Sequence, residues 1–410
     1  MTASKHPTPL TARPAPAWAR GVKQYDAIIL GAGAAGLMAA MVAGQRGKRV
    51  LLIDHADEPG KKILISGGGR CNFTNIHTAP DRYLSANPHF MKSALARYTA
   101  RDFLDLVERH AIAWHEKTLG QLFCDGSAKQ IVAMLWEECA AGGVDLWLGH
   151  SASVERRDGF VITCGARAAS APRLVLATGG PSIPKMGATG FAYDLARSWG
   201  LKIVEPRPAL VPLTLAGDDL LFRTLSGVAA PVVATAERGP AFGEAALFTH
   251  RGLSGPAILQ VSSYWRPGET IGIDFVPDAP ANWLPQAKRQ DPRKPVRRLV
   301  EQVLPARLAE TLCERLALDG LIGGISDRIL TGSERQLRDW RFTPNGSEGF
   351  AKAEVTIGGI STSELSSQSM EAKRVPGLFV IGEAVDVTGW LGGYNFQWAW
   401  ASGVACGEVL

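Results

Sequence analysis

At 410 residues the chain is longer than one ordinary hydrophobic core supports, so two or three domains are expected. Its composition, 46% hydrophobic and 20% charged, is that of a globular protein, and no stretch approaches the ~20 uncharged apolar residues of a membrane span. A net charge of +5 permits an anionic cofactor or a nucleic-acid partner and demands neither.

Residues 1–23 carry Pro7, Pro9, Pro14 and Pro16 without a continuous apolar run. They read as a disordered leader rather than a secretory signal, with an organellar transit peptide as the alternative. A strand pattern, Tyr25-Asp26-Ala27-Ile28-Ile29-Leu30, then runs into Gly31-Ala32-Gly33-Ala34-Ala35-Gly36 and an apolar helix. A second strand, Arg49-Val50-Leu51-Leu52-Ile53, ends on Asp54. Strand, glycine turn, helix, strand and acid together form the unit that binds an ADP moiety. Gly31 permits the tight turn, Gly33 admits a pyrophosphate and Gly36 brings the helix onto the sheet. The helix N-terminus, from Ala34 and Ala35, points free N–H groups at the phosphates, and Asp54 is placed for the ribose hydroxyls.

Residues 90–107 and 128–141 read as amphipathic helices. Arg173-Leu174-Val175-Leu176-Ala177-Thr178-Gly179-Gly180 reads as a buried strand ending in a glycine turn. From 206 to 276 short strands rich in Val, Leu and Thr indicate a β-rich insertion, 277–295 reads as a proline-rich linker, and helical periodicity follows to 337. Strand and glycine signals return at 353–360 and at Gly377-Leu378-Phe379-Val380-Ile381-Gly382-Glu383, before a final apolar helix over 394–409. Six cysteines (Cys71, Cys124, Cys139, Cys164, Cys313, Cys406) show neither CxxC nor His/Cys ligand spacing. That argues against a disulfide framework or a metal site and fits a reducing, cytoplasmic setting.

Two of these segments resemble the cofactor motifs of two-dinucleotide-binding flavoproteins. The Thr178-Gly179-Gly180 turn is similar to their "ATG" turn, and the Gly382-Glu383 strand end is similar to their last FAD motif. There a carboxylate binds the ribityl chain, and Glu383 is the expected residue, with Asp386 second. More specific are Gly60-Lys61-Lys62 through Gly67-Gly68-Gly69-Arg70-Cys71-Asn72, Thr249-His250-Arg251-Gly252-Leu253-Ser254-Gly255-Pro256-Ala257, and Gly392-Gly393-Tyr394-Asn395-Phe396-Gln397-Trp398-Ala399. These resemble the signature stretches of the BaiN/YhiN-like (aminoacetone-oxidase-like) FAD-dependent oxidoreductases, over nearly the whole chain after the leader.

The resemblance implies an α/β fold with a discontinuous Rossmann-type FAD domain over 24–205 and 345–410. It implies a β-barrel-like insertion over 206–276 with part of 338–352, and a small helical insertion over 277–337. It lays Gly68, Gly69, Arg70 and Asn72 along FAD, with Lys61 and Lys62 adding charge. The helix opened by Gly393, Tyr394, Asn395 and Phe396 would point at the flavin N1/C2=O region. Only one complete glycine fingerprint is present, so NADH or NADPH is expected to visit the flavin face transiently.

For the chemistry, three candidates stand. Cys71 is either a proton donor or a small residue packed beside the cofactor. His250 is either an acid–base or anion-binding group or a cap of its own glycine turn. Tyr394 either positions flavin or meets substrate. Trp398 and Trp400 are expected in the core. The leading expectation is hydride transfer to an activated C=C bond, in a small-molecule substrate or in the uracil ring of ribosomal RNA. Two alternatives stay open, an oxidase of a small amine or ketone and a non-catalytic FAD-containing factor that binds RNA or protein.

Overall fold

A computed structural model describes residues 22–410. The expected leader therefore lies almost wholly outside the described residues. The centre of the fold is a five-stranded parallel sheet in the order Leu378–Val380, Leu174–Leu176, Ala27–Leu30, Val50–Ile53, Asp145–Trp147. The first four of these strands are continuous apolar runs with every residue buried, as a parallel sheet covered on both faces requires.

Register then does the positioning. Leu30 lies opposite both Ile53 and Leu176, Leu176 opposite Val380, and Ile53 opposite Trp147. All five strands end level, so Gly31, Asp54, Ala177-Thr178 and Ile381-Gly382 leave the sheet along one edge.

Helix Ala34–Gln45 follows the first strand, and helix Tyr394–Gly407 packs across it. The crossing is close because Gly403 faces the Ala35 carbonyl, and a Cβ there would stand 2.8 Å from that oxygen. Trp398 and Trp400 are sealed in the core, as expected, and each indole N–H finds a backbone carbonyl, Gly382 at 3.0 Å and Phe73 at 2.8 Å. Trp400 also stacks on Phe103 at 4.3 Å. The last helix thereby ties together segments more than 300 residues apart.

A second buried cluster lies within residues 213–342. A seven-stranded antiparallel sheet runs in the order Trp340–Phe342, Ile271–Asp274, Ala229–Ala236, Phe242–Phe248, Gly252–Ser254, Leu213–Thr214, Gly346–Ser347. Helices Trp283–Gln290, Val296–Val300, Ala306–Arg315 and Asp327–Arg338 bury Leu284, Leu299, Leu312 and Leu330 in the same cluster as Phe222, Phe248, Phe275 and Phe342. Strands and helices of this part share one core. Trp390 packs against both major clusters and marks the junction between them.

Two expectations are corrected. The single helix over 90–107 is two, Lys92–Arg97 and Ala100–Arg109, because Thr99 caps the second. Its hydroxyl accepts from the Asp102 N–H while the Asp102 carboxylate accepts from the Thr99 N–H, a local bond that outcompetes continuation. The proline-rich 277–295 is not a plain linker, since Trp283–Gln290 is helical and buries Leu284 and Pro285. Among the described residues no helix is long and apolar enough to cross a membrane, and all six cysteines are buried free thiols.

The tightest constraint is at the glycine turn. Gly31 sits at φ +105°, and a Cβ on Gly36 would overlap the Gly31 carbonyl oxygen. Gly36→Ala should therefore destabilise the protein by about 3 kcal/mol, the upper end for overpacking. Urea unfolding followed by tryptophan fluorescence checks this, and a wild-type midpoint would show that turn and helix can separate freely.

Candidate dinucleotide site and its junction with the second core

Along the level sheet edge, the Gly33 end of helix Ala34–Gln45 has no side-chain cap, which leaves its first-turn N–H groups available. A Cβ on Gly33 would meet nothing within 4 Å, so the space above this turn is open. Asp54 closes the turn from below. Its carboxylate accepts from the N–H groups of Ala32 at 2.6 Å and Ala56 at 2.9 Å. The His55 ring stands 3.3 Å from the oxygen that accepts from Ala56.

On the other side of the edge, Glu383 is held by Lys62 Nζ at 2.6 Å, Ser182 Oγ at 2.8 Å and the Thr356 N–H at 2.9 Å. Lys62 also donates to Ser182 Oγ at 2.7 Å. Lys61, by contrast, turns away to Asp57 at 2.7 Å. Gly179 approaches Glu383, and Gly382 at φ +65° stands where a Cβ would come within 2.8 Å of Ala35. Against Gly180 lie the buried hydroxyls of Tyr193 and Thr356, and these, like that of Thr178, have no hydrogen-bond partner among the described residues.

Asp386 is 3% exposed, accepts from the Ala86 N–H at 2.9 Å, and burial pushes its carboxyl up to about 6. Gly67, Gly68 and Gly69 are all at positive φ, and the space above Gly68 is open. Arg70 is exposed and makes no ion pair with a described residue. Asn72 lies 3.1 Å from Gln121.

The donor set fits an elongated dinucleotide. There are open glycine backbones at Gly33 and Gly68, free N–H groups at Ala34 and Ala35, an orphaned Thr178 hydroxyl, and carboxylates at Asp54, Glu383 and Asp386. These are the residues that would hold FAD.

The catalytic candidates separate. Cys71 is 0% exposed at φ +51°, and burial pushes its thiol well up. A thiol sealed in this way has no path to a substrate, so the donor role falls and the packing role remains. The Gln121–Cys124 strand runs beside it, with the Cys124 N–H donating to the Arg70 carbonyl at 3.0 Å. His250 is exposed and does not cap its turn, because Thr249 Oγ1 accepts from the N–H groups of Arg251 and Gly252. Asn395 is not free for flavin, since its amide accepts from the Gly389 N–H and donates to the Gly389 and Trp390 carbonyls, stapling the loop. Phe396 stacks on Trp400. Gly393, at φ +97°, caps the last helix against the Thr74 backbone.

Tyr394 is the candidate that reaches the junction. Its ring meets Tyr83 and Trp390 edge-on, and burial pushes its phenol up. Around it stand residues the sequence did not single out. Arg82 lies over the Trp390 ring at 4.4 Å, and Trp390 Nε1 donates to Tyr264 Oη at 2.8 Å. Glu244 shares the inward face of strand Phe242–Phe248 with Phe242 and Ala246, and accepts from Gln260 at 3.3 Å. Burial pushes its carboxyl up, so it holds a proton more readily than a surface glutamate. The one available signal was an acid at the inward phase of a strand pattern, which alternation exposes only once the strand is known.

The model of the HI0933-like protein Rossmann domain matches residues 25–409. The chain is 52% identical over 398 residues to the ribosomal RNA dihydrouridine synthase of Escherichia coli, covering 95% of this chain and 98% of that protein. It is 46% identical over 394 residues to the Haemophilus influenzae protein of the same name, covering 94% and 98%. The 3-dehydro-bile acid delta(4,6)-reductase of Clostridium scindens is 28% identical over 407 residues, covering 93% and 98%.

Two expected outcomes follow from this geometry. Gly33→Val should leave the unfolding midpoint of the cofactor-free protein near wild type yet abolish the bound-flavin absorbance, because its side chain fills open space. An Asp386 pKa raised from 3.8 to about 6 disfavours the ionised form in the fold, so the penalty is absent below pH 4 and complete above pH 6. The cofactor-free wild type should therefore lose ~3 kcal/mol relative to Asp386→Asn as pH rises from 4 to 7. Parallel stability curves for the two proteins would refute the assignment.

Proposed function

The chain belongs to the HI0933-like Rossmann-domain family of flavoprotein oxidoreductases, and from that premise we propose that it reduces the C5=C6 bond of a uridine in ribosomal RNA to dihydrouridine. The observation that carries this reading is the 52% identity with a ribosomal RNA dihydrouridine synthase, which extends over both the dinucleotide edge and the β-rich part facing it. When bound, FAD supplies the two-electron chemistry, taking electrons from NADH or NADPH and passing them to the carbon–carbon double bond.

The protein's own residues do the rest. Helix Ala34–Gln45, Asp54 and the Gly67–Gly69 turn hold the dinucleotide, and the Lys62–Glu383–Ser182 group fixes the ribityl side of the edge. At the junction, Tyr394 and Glu244 are the groups assigned to keep a proton near neutral pH and deliver it to the second carbon. Trp390, Tyr264 and Phe242 form the apolar wall that keeps water from that carbon. A uracil enters this junction only after leaving its stack, which favours an unpaired or weakly paired target.

The test is an anaerobic reaction of the FAD-loaded protein with NADPH and unmodified ribosomal RNA transcripts, with the nucleosides digested and resolved by mass spectrometry. A uridine gaining two hydrogens only when protein and NADPH are both present is expected. Tyr394→Phe or Glu244→Gln should lower the yield about 100-fold for whichever residue gives the proton, with the rate of flavin reduction by NADPH unchanged. RNA that stays unmodified while an unsaturated small molecule is turned over would replace the RNA reading with a small-molecule reductase.

A further inference from the structure

The junction carries a feature that neither dinucleotide binding nor proton delivery uses. Arg207 lies on strand Ile203–Ala209 opposite Ile357, half-buried, and its side chain makes no hydrogen bond or ion pair with a described residue. Arg266 follows the helix Pro256–Ser262 and is also half-buried. Its guanidinium donates only to carbonyl oxygens, those of Ser263, Tyr264 and Trp265 at 3.4, 3.2 and 3.1 Å.

The two are brought together by the hydroxyls of Ser262 and Ser263, which accept from the N–H groups of Val211 and Leu210 and pin the helix end to the end of Arg207's strand. The acid in contact with Arg266 touches its backbone rather than its guanidinium, since Glu269 accepts from the Arg266 N–H at 3.0 Å and pairs with Arg238 at 2.7 Å. Burial and the neighbouring Arg266 charge both push the Arg207 guanidinium down, and no carboxylate acts in the other direction.

Two partly desolvated like charges without an acid between them are unfavourable until an anion joins them. A guanidinium pair presents planar forks that match the oxygens of a phosphate. The neighbouring surface fits a nucleic-acid strand. Arg266 bonds the Tyr264 backbone, the Tyr264 hydroxyl meets Trp390, and Trp390 lies under Arg82, whose buried Nε has no hydrogen-bond partner and stands 3.7 Å from the exposed Asp81 carboxylate. Cations spaced along aromatic faces are how single strands are bound, phosphates on one and bases on the other.

We propose that Arg207 and Arg266 seat a backbone phosphate of the RNA strand next to the target uridine, and that Arg82 and Trp390 form the wall along which the strand approaches the flavin edge. The proposal rests on the ribosomal RNA reading above and names the surface that would deliver that substrate.

The experiment uses the FAD-loaded protein and a fluorescently labelled single-stranded RNA containing uridine, with anisotropy titrations at several KCl concentrations. Arg207→Gln with Arg266→Gln is expected to weaken binding about tenfold at low salt and to reduce the log–log salt slope by about 0.7, the loss of one neutralised phosphate on a single strand. Arg207→Lys with Arg266→Lys should keep most of the slope, since the charge remains. Arg328→Gln with Arg335→Gln, removing two exposed charges from helix Asp327–Arg338, should leave the slope unchanged and so separate a local contact from net charge. Flavin absorbance and the rate of flavin reduction by NADPH serve as folding controls and should match wild type.

A wild-type salt slope in the Arg207→Gln, Arg266→Gln protein, with the wild type still making dihydrouridine, overturns the phosphate seat and leaves the substrate reading standing. A wild type that makes no dihydrouridine in ribosomal RNA overturns both. Binding of inorganic phosphate or a mononucleotide as tightly as the RNA would identify the pair as a small-anion site and also overturn the proposal.

Discussion

The level ending of five parallel strands is the constraint on which the rest of this molecule depends. Hydrogen-bonded register is discrete, so a one-residue slip of any strand would turn its side chains to the wrong face and withdraw its loop from the edge. With Leu30, Ile53, Leu176 and Val380 aligned, four loops from distant parts of the chain converge without needing contacts of their own. Gly31 and Gly36 then let backbone approach backbone where the helix leaves the sheet. Asp54, Thr178 and Glu383 follow closely on the strand ends, so the precision of the edge is carried by the strands beneath them.

A second level of organisation lies in how charge is handled around that edge. Glu383 is held by donors from three other segments, Lys62, Ser182 and Thr356, so its carboxylate is oriented as an acceptor. Asp386, three residues on in sequence, has one backbone donor and no cation among the described residues, and its carboxyl is pushed up. Glu244 and Arg207 repeat this imbalance across the junction, an acid and a base each left short of an opposite charge.

The dinucleotide edge was legible in the sequence because its parts are local. A strand, a glycine turn and a helix over residues 27–45 declare themselves by spacing, and the final Gly-Glu strand end does the same. Long-range pairing was not legible. Asn395 belongs to a motif that suggests cofactor contact, yet its amide is consumed by its own loop, and Thr249 rather than His250 caps the neighbouring turn. The break at Thr99 was readable as a capping box but was overridden by continuous amphipathic spacing. Arg207 and Arg266 are ordinary arginines in sequence, and only tertiary structure reveals that neither guanidinium has an acidic partner among the described residues.

The last strand and the last helix have a consequence for how the protein is made. Leu378–Val380 completes the sheet edge, and Tyr394–Gly407 covers the helix Ala34–Gln45 while its tryptophans anchor Phe73 and Gly382. Until these residues leave the ribosome, the nascent chain has the glycine turn but neither the Glu383 side of the cradle nor the cover over its first helix. Contacts spanning more than 300 residues close late and slowly. The cradle is therefore complete only once Leu378–Val380 and Tyr394–Gly407 have docked, and the segment 213–342, with its own core, is free to fold before then.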